Sequence, residues 1–330
     1  MKCLIIGSEA RYNKFALDKA FIDSCENVFC ERGTTDEVLL EKGADADVLL
    51  ADAISPVSAH LIDHMPNLKM IHTEGVGFNS IDIEHAKKKG IPVCNNKGAN
   101  ATAVAEQTIL LMLGLLRDVI VGDAAVRNGS QITVKEGMMV SGIAELADCQ
   151  VGLVGFGAIA VEVAKLLNAF GAKISYNDYI RRSDAVEKAM NVTYMDIDEL
   201  VKSSDIVSIH CPVTVETTNM VNSDFLNKMK SSAYLINTAR GEIVDNMALR
   251  QAIIDGVIAG AAFDTIYPEP MLTDNPLIDL PDEEKYKVIY SPHVGGITTS
   301  SFARMHSNLW KNVKSIANGQ RPNNIVNGVK

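Results

Sequence analysis

Short apolar runs alternate with segments whose apolar residues recur at helical spacing, and the alternation continues through nearly the whole chain. In the first hundred residues the runs are Leu4–Gly7, Val28–Cys30, Val48–Ala51, Met70–Thr73 and Pro92–Cys94. Helices are expected between them near Lys14–Ser24, Asp36–Lys42, Ser58–His64 and Ile83–Lys89. Strand–helix alternation at this pitch predicts a parallel, doubly wound sheet. A second series follows in Val151–Val154, Lys173–Asn177, Ile206–His210, Ala233–Asn237, Ile258–Phe263 and Val288–Ser291, and it predicts a second parallel sheet. After Pro292 and the pair Gly295-Gly296, a long helical pattern runs from Thr299 to about Asn318. The glycines detach it from the second sheet, so it is expected to return to the first domain. The expected division is residues 1–99 with 298–330, and residues 100–297.

Within the second series, Gly152-Leu-Val-Gly-Phe-Gly-Ala-Ile-Ala160 joins the apolar strand to a helical pattern through Val163, Ala164, Leu166, Leu167 and Phe170. This is the strand–turn–helix setting of a dinucleotide fingerprint. Gly155 permits a tight turn, Gly157 lets backbone approach a pyrophosphate, and the small Ala160 lets helix and strand pack closely. The pyrophosphate would sit on the helix N-terminus, where free N–H groups favour anions. Asp178 ends the next strand ~20 residues on, where a ribose-binding acid belongs. An acid there favours NAD over NADP, although Arg181 and Arg182 follow closely. The fold class expected is therefore α/β, with two Rossmann-like doubly wound parallel-sheet domains, the first of them discontinuous.

A net charge of −10 argues against nucleic acid or an anionic membrane as the main partner. The six cysteines show no metal-ligand spacing, so no metal is expected, and they read as free thiols of a reducing cytoplasm. The start, Met1 to Gly7, reads as a strand rather than a secretory leader. The most apolar helix candidate, Ile109–Leu116, is too short to span a bilayer. Being apolar nearly all round, it is expected to be buried between domains or subunits.

Open α/β sheets bind ligands beyond the carboxyl ends of their strands. Arg240, Glu269 and His293 each follow such a strand in the second domain. A guanidinium fork suits a 2-oxo carboxylate, a histidine can protonate a carbonyl oxygen, and a nearby carboxylate would favour and orient the imidazolium. In the first domain the glycines of Gly75–Asp82 could turn backbone N–H groups toward a carboxylate. His60, His64, His72, His85 and His306 follow no such loop, and His210 fits a structural or cofactor-wall role.

Taken together, Gly75–Asp82, Asn100 to Glu106, Gly152–Ala160, Asp178, His210 to Thr214, Asn237–Gly241, Asp264–Pro270 and Pro292–Gly296 resemble the D-isomer-specific 2-hydroxyacid dehydrogenases over essentially the whole chain. The resemblance implies that Arg240 binds substrate carboxylate and carbonyl, that His293 is the acid/base, and that Glu269 is its partner. It also implies that Asp264 meets the nicotinamide carboxamide and that the N–H groups of Val76 and Gly77 hold the substrate carboxylate. Cofactor contacts would come from Gly155, Gly157, Ala158, Ile159, Asp178, His210, Pro212, Thr217, Thr238, Arg240, Asp264, His293 and Gly295. Family members are usually homodimers that bury the helix corresponding to Ala103–Arg117. This chain departs from the pattern at Ala158, in place of an arginine, at Ala160, in place of a glycine, and at Asn79, in place of an aspartate. A tryptophan common after the Arg127–Gly129 position is also absent, with Ile132 nearby.

The activity expected is NAD-dependent reduction of a small or apolar 2-oxo acid to the D-2-hydroxy acid. The loop Ala51–Val57 lacks the basic residues that phosphoglycerate dehydrogenases tend to carry, which disfavours a phosphorylated or dicarboxylic substrate. Formate dehydrogenases of the superfamily place glutamine where Glu269 stands. The alternatives are a phosphoglycerate dehydrogenase-like activity and a NAD(H)-sensing, corepressor-like binding protein, which would retain the same trio.

Overall fold

The computed structural model describes residues 1–330 and resolves into two compact units, Met1–Asn100 with Ile297–Lys330, and Ala101–Gly296. The first unit holds strands β1 (Lys2–Ile6), β2 (Glu26–Cys30), β3 (Val48–Ala51), β4 (Met70–Thr73) and β5 (Val93–Cys94). They pair in parallel in the order β2-β1-β3-β4-β5. Side chains alternate across a strand, so each run feeds two cores. Leu4, Ile6, Leu49, Ala51 and Ile71 pack on one face. Cys3, Ile5, Val48, Leu50 and Met70 pack on the other against Leu309, Trp310 and Val313 of the helix Thr299–Ala317.

Behind this second face lies a buried ion cluster. Glu74 takes two hydrogen bonds from Arg11, at 2.8 and 2.5 Å, and one from His306 Nε2 at 2.9 Å. His306 and His72 thus belong to the interior, both without solvent exposure.

The helix expected over Lys14–Ser24 is two short helices instead, Glu9–Lys14 and Lys19–Asp23. Phe15 leaves the first helix to stack on Phe302, and the Asp18 carboxylate accepts the Phe21 N–H, starting a new helix.

The second unit holds β6 (Gln150–Val154), β7 (Lys173–Asn177), β8 (Thr193–Tyr194), β9 (Ile206–Ile209), β10 (Tyr234–Asn237), β11 (Gly260–Phe263) and β12 (Val288–Tyr290). Their order is β12-β11-β10-β9-β6-β7-β8, all parallel. The winding reverses between β6 and β9. The register aligns Asn177, Val154, Ile209, Asn237, Phe263 and Tyr290 at one edge, so every loop after these strands leaves on the same side.

The all-round apolar helix runs Ala101–Leu116 and finds its burial inside this unit, against the fingerprint helix Ala158–Phe170 and the sheet. It does not depend on a second domain or subunit for that; only Leu110, 60% exposed, remains a large apolar side chain on its surface. The unpartnered surface lies further on. Gln131–Ser141 buries no residue at all, and Val126, Ile132, Met139 and Val140 are all exposed. No helix is long and apolar enough to cross a membrane.

Candidate active site

The turn after β6 carries the cofactor fingerprint. Gly155 has φ +93°, and a Cβ there would stand 2.7 Å from the Cys211 backbone nitrogen. The loops after β6 and β9 therefore touch at the winding reversal, where open α/β sheets take ligands. At Gly157 an added Cβ would meet nothing within 4 Å. Gly157 is also the N-cap of Ala158–Phe170, and no side chain caps that helix. The N–H groups of Ala158 and Ile159 in its first turn donate to nothing within the unit, as an anion site requires.

Asp178 directly follows β7, against this turn. One carboxylate oxygen accepts the Phe156 N–H at 2.6 Å and the other the Ile180 N–H at 3.2 Å. The two arginines after it divide in role. Arg181 is committed to Glu187 at 2.9 and 3.0 Å and lies over the Tyr194 ring. Arg182 holds the Phe156 carbonyl at 2.5 Å, beside the turn.

Beyond β9, His210 approaches Ser208 Oγ at 2.9 Å through Nε2, while its Nδ1 has no partner. Burial pushes this imidazole down to about 4, so the ring is neutral near pH 7. Thr217 donates to the Pro212 carbonyl at 2.7 Å, closing the loop that follows. Thr238 pairs with Thr108 at 2.9 Å. Both threonine protons are thus spent within the unit, which leaves these hydroxyls able only to accept.

Three successive strands place the expected trio. Arg240 follows β10, half-buried, with Nη1 on the Ala239 carbonyl at 2.7 Å. A Cβ at Gly241 would collide with the backbone of Ile266 and Tyr267, so the loop after β10 rests directly on the loop after β11. That second loop carries Glu269. His293 follows β12 with φ +56°, and its Nδ1 lies 2.8 Å from both Glu269 oxygens. A carboxylate only accepts, so Nδ1 carries a hydrogen and Nε2 is left for other chemistry. Asp264, 3% exposed, accepts the Val294 N–H at 2.9 Å and the Gly295 N–H at 2.8 Å. The Ser291 hydroxyl donates to the same carboxylate.

In the first unit, the loop after β4 is held by its carbonyls. Asn96 ties Glu74 through its side chain at 2.8 Å and Gly75 through its backbone at 3.0 Å. Asn95 ties Val76 at 2.7 Å and Thr73 ties Gly77 at 3.0 Å. With the carbonyls fixed, the N–H groups of Val76 and Gly77 donate to nothing within the unit. Two adjacent amides without acceptors are available to an anion.

A family profile described as D-isomer specific 2-hydroxyacid dehydrogenase, NAD binding domain, matches residues 109–295. A glyoxylate reductase of Thermofilum pendens is 40% identical over 291 residues, 88% of this chain and 84% of that one. The chain belongs to the D-isomer-specific 2-hydroxyacid dehydrogenase family. Among solved structures, that of a family member from Lactobacillus delbrueckii ssp. bulgaricus, in its NAD-complexed form, superposes with a TM-score of 0.80 at 29% identity, covering 99% of this chain and 100% of that one. A D-lactate dehydrogenase of Aquifex aeolicus, complexed with NAD and lactic acid, gives 0.81 at 28% identity over 97% and 96%.

This dehydrogenase is accordingly an NAD-dependent oxidoreductase of D-2-hydroxy acids with two Rossmann-like parallel-sheet units. Its own residues fit the cofactor. The uncapped helix N-terminus at Gly157, the open space above it and the Asp178 carboxylate at the turn suit a pyrophosphate and an adjoining ribose. Several site residues carry no mark in the sequence. Asn95 and Asn96 sit in an ordinary loop, and Gln107, whose Nε2 donates to Ser291 Oγ at 3.0 Å, looks like a helix-surface residue. Gly241 could have been suspected, since a glycine directly after a candidate arginine suggests close backbone approach.

Proposed function

We propose that this dehydrogenase reduces a small 2-oxo acid, glyoxylate foremost, to the corresponding 2-hydroxy acid, with D configuration where the product is chiral. The observation that carries this reading is the His293–Glu269 pair, 2.8 Å apart with Nε2 unengaged, on the sheet edge that also bears Arg240. NADH, when bound, supplies the hydride. Arg240 grips the carboxylate and polarises the neighbouring carbonyl. His293, oriented by Glu269, delivers the Nε2 proton to the carbonyl oxygen and removes it in the reverse direction. Asp178 at the ribose position supports NAD over its 2′-phosphorylated form.

Substrate size is argued from the loop Ala51–Val57. Its one charge, Asp52, is 3% exposed and satisfied by Arg32 at 2.7 Å and by the N–H groups of Ile54 and Ser55. Ile54, 54% exposed, presents an apolar surface instead. Such a loop gives no grip on a phosphate or a second carboxylate. The named glyoxylate reductase relative agrees with a small acid. The exposed apolar side chains of Val119–Arg127 and Gln131–Ser141 support a homodimer, and the free cysteines support a reducing cytoplasm.

The test is NADH oxidation against a panel of 2-oxo acids, with NADPH and a phosphorylated 2-oxo acid included, for wild type and His293→Ala. Turnover concentrated on small uncharged-side-chain acids and lost in the variant is expected. Preference for the phosphorylated acid would overturn the substrate reading. Tight NADH binding without turnover on any acid would point to a binding protein.

A further inference from the structure

We infer that Gln107 and Ser291 are positioning residues for His293, forming with Asp264 a hydrogen-bond relay that runs from the buried helix Ala101–Leu116 to the acid/base. The inference rests on His293 having that role. Every member lies in the second unit. Gln107 Nε2 donates to Ser291 Oγ at 3.0 Å, and the Ser291 hydroxyl donates onward to Asp264 Oδ1. Asp264 then accepts the N–H groups of Val294 and Gly295, at 2.9 and 2.8 Å.

The contacts bracket His293 from both sides. Ser291 stands two residues before it, Val294 and Gly295 directly after, and the His293 N–H closes onto the Ser291 carbonyl at 3.0 Å. Between these hooks His293 is held at φ +56°, a left-handed conformation that is unfavourable for a residue with a Cβ. Such a conformation persists only where the surroundings over-determine it. The hooks supply that constraint, and the imidazole emerges with Nδ1 on Glu269. The packing is close enough that a Cβ on Gly295 would stand 2.8 Å from Asp264 Oδ2 and 3.3 Å from the Gln107 side chain.

The relay has a direction fixed by chemistry. Asp264 as a carboxylate can only accept, and it lies much nearer the Ser291 hydroxyl than the Phe263 carbonyl at 3.4 Å, so the single Ser291 proton goes to it. The serine oxygen must then accept from residue 107, which only a donor there can satisfy. Gln107→Glu keeps the shape, removes the donor, and adds a second carboxylate near Asp264. Gln107→Met removes the donor without adding charge. A purely space-filling role would make glutamate the milder change; the relay makes it the more damaging one.

The experiment compares Ser291→Ala, Ser291→Thr, Gln107→Glu and Gln107→Met with wild type and His293→Ala. The measurements are kcat and KM for glyoxylate, the pH profile of kcat/KM, NADH affinity by fluorescence titration, and the His293 ring tautomer by 15N NMR of histidine-labelled cofactor-free protein. Expected are a loss in kcat of ~10–100-fold for Ser291→Ala, smaller than the ~10²–10⁴-fold of a general acid–base residue itself because only its positioning is disturbed, and restoration by threonine. Gln107→Glu should fall below Gln107→Met, NADH affinity should stay within about twofold, and the His293 Nδ1–H signature should weaken in step with kcat. If His293→Ala inactivates while kcat, pH profile and ring signature of Ser291→Ala and Gln107→Glu match wild type, the relay is wrong and the acid/base assignment stands. If His293→Ala retains turnover, the assignment itself fails.

Discussion

Acidification should destabilise the first unit through His72, and the size of the effect follows from its surroundings. His72 is fully buried, with Nδ1 donating to the Thr73 carbonyl at 2.8 Å and Nε2 facing the Asn312 amide at 3.1 Å. Asn312 cannot turn over to accept instead, because its oxygen takes the Asn323 N–H at 2.8 Å and its nitrogen serves the Asn323 carbonyl. The site therefore fits only the neutral ring, and burial holds the imidazole down at about 4. The unfolded chain takes up the proton near pH ~6.5. Between these values the unfolded state binds more protons, so the stability from this group is complete above pH ~6.5 and is lost as pH falls toward 4. The loss amounts to about 2 kcal/mol by pH ~5 and about 3 kcal/mol by pH ~4. The assay is urea unfolding followed by the single tryptophan, Trp310, which packs in the same core. His72→Asn keeps the donor to Thr73 but does not titrate. Wild type should lose more stability than the variant by the amounts above. Parallel curves for the two proteins across pH 4–7 would refute the reasoning.

Three further outcomes follow from the second unit. Gly155→Ala forces a Cβ onto the Cys211 backbone at positive φ, so NADH affinity should fall at least ~10-fold in a fluorescence titration; an unchanged titration would show that the turn relaxes freely. Glu269→Gln should lower kcat/KM for glyoxylate by ~10–100-fold with NADH binding intact, and wild-type turnover would remove Glu269 from the mechanism. Val140→Asp together with Met139→Asp, at 89% and 68% exposed positions, should convert a dimer to monomers in sedimentation velocity. A wild-type monomer would remove the homodimer reading.

Much of this fold is legible because parallel strands covered on both faces leave continuous apolar runs, as Val48–Ala51 and Gly260–Phe263 show. The fingerprint and the loops carrying Arg240, Glu269 and His293 are legible for a related reason, since each directly follows such a run. Legibility ends where long-range geometry decides. The break between Glu9–Lys14 and Lys19–Asp23 depends on Phe302, far along the chain. The helix Gln131–Ser141 has no buried stripe to announce it. Gln107 gains meaning only from Ser291, 184 positions away, and Asn96 only from the carbonyls it fastens. The apolar helix Ala101–Leu116 misleads for the opposite reason: its composition suits an interface, yet its own unit buries it.

The return of the chain to its first sheet has a consequence for biosynthesis. Cys3, Ile5, Val48, Leu50 and Met70 emerge from the ribosome early, but Leu309, Trp310 and Val313, which cover them, emerge only after all of Ala101–Gly296. The edge strand waits too, since Val93 is engaged by Val326 and Asn327. The nascent first unit thus carries an uncovered apolar face throughout translation of the second, which is contiguous and free to fold at once. Chaperone dependence and early proteolysis should therefore concentrate on the N-terminal hundred residues, and a premature stop near the C-terminus should harm the segment made first.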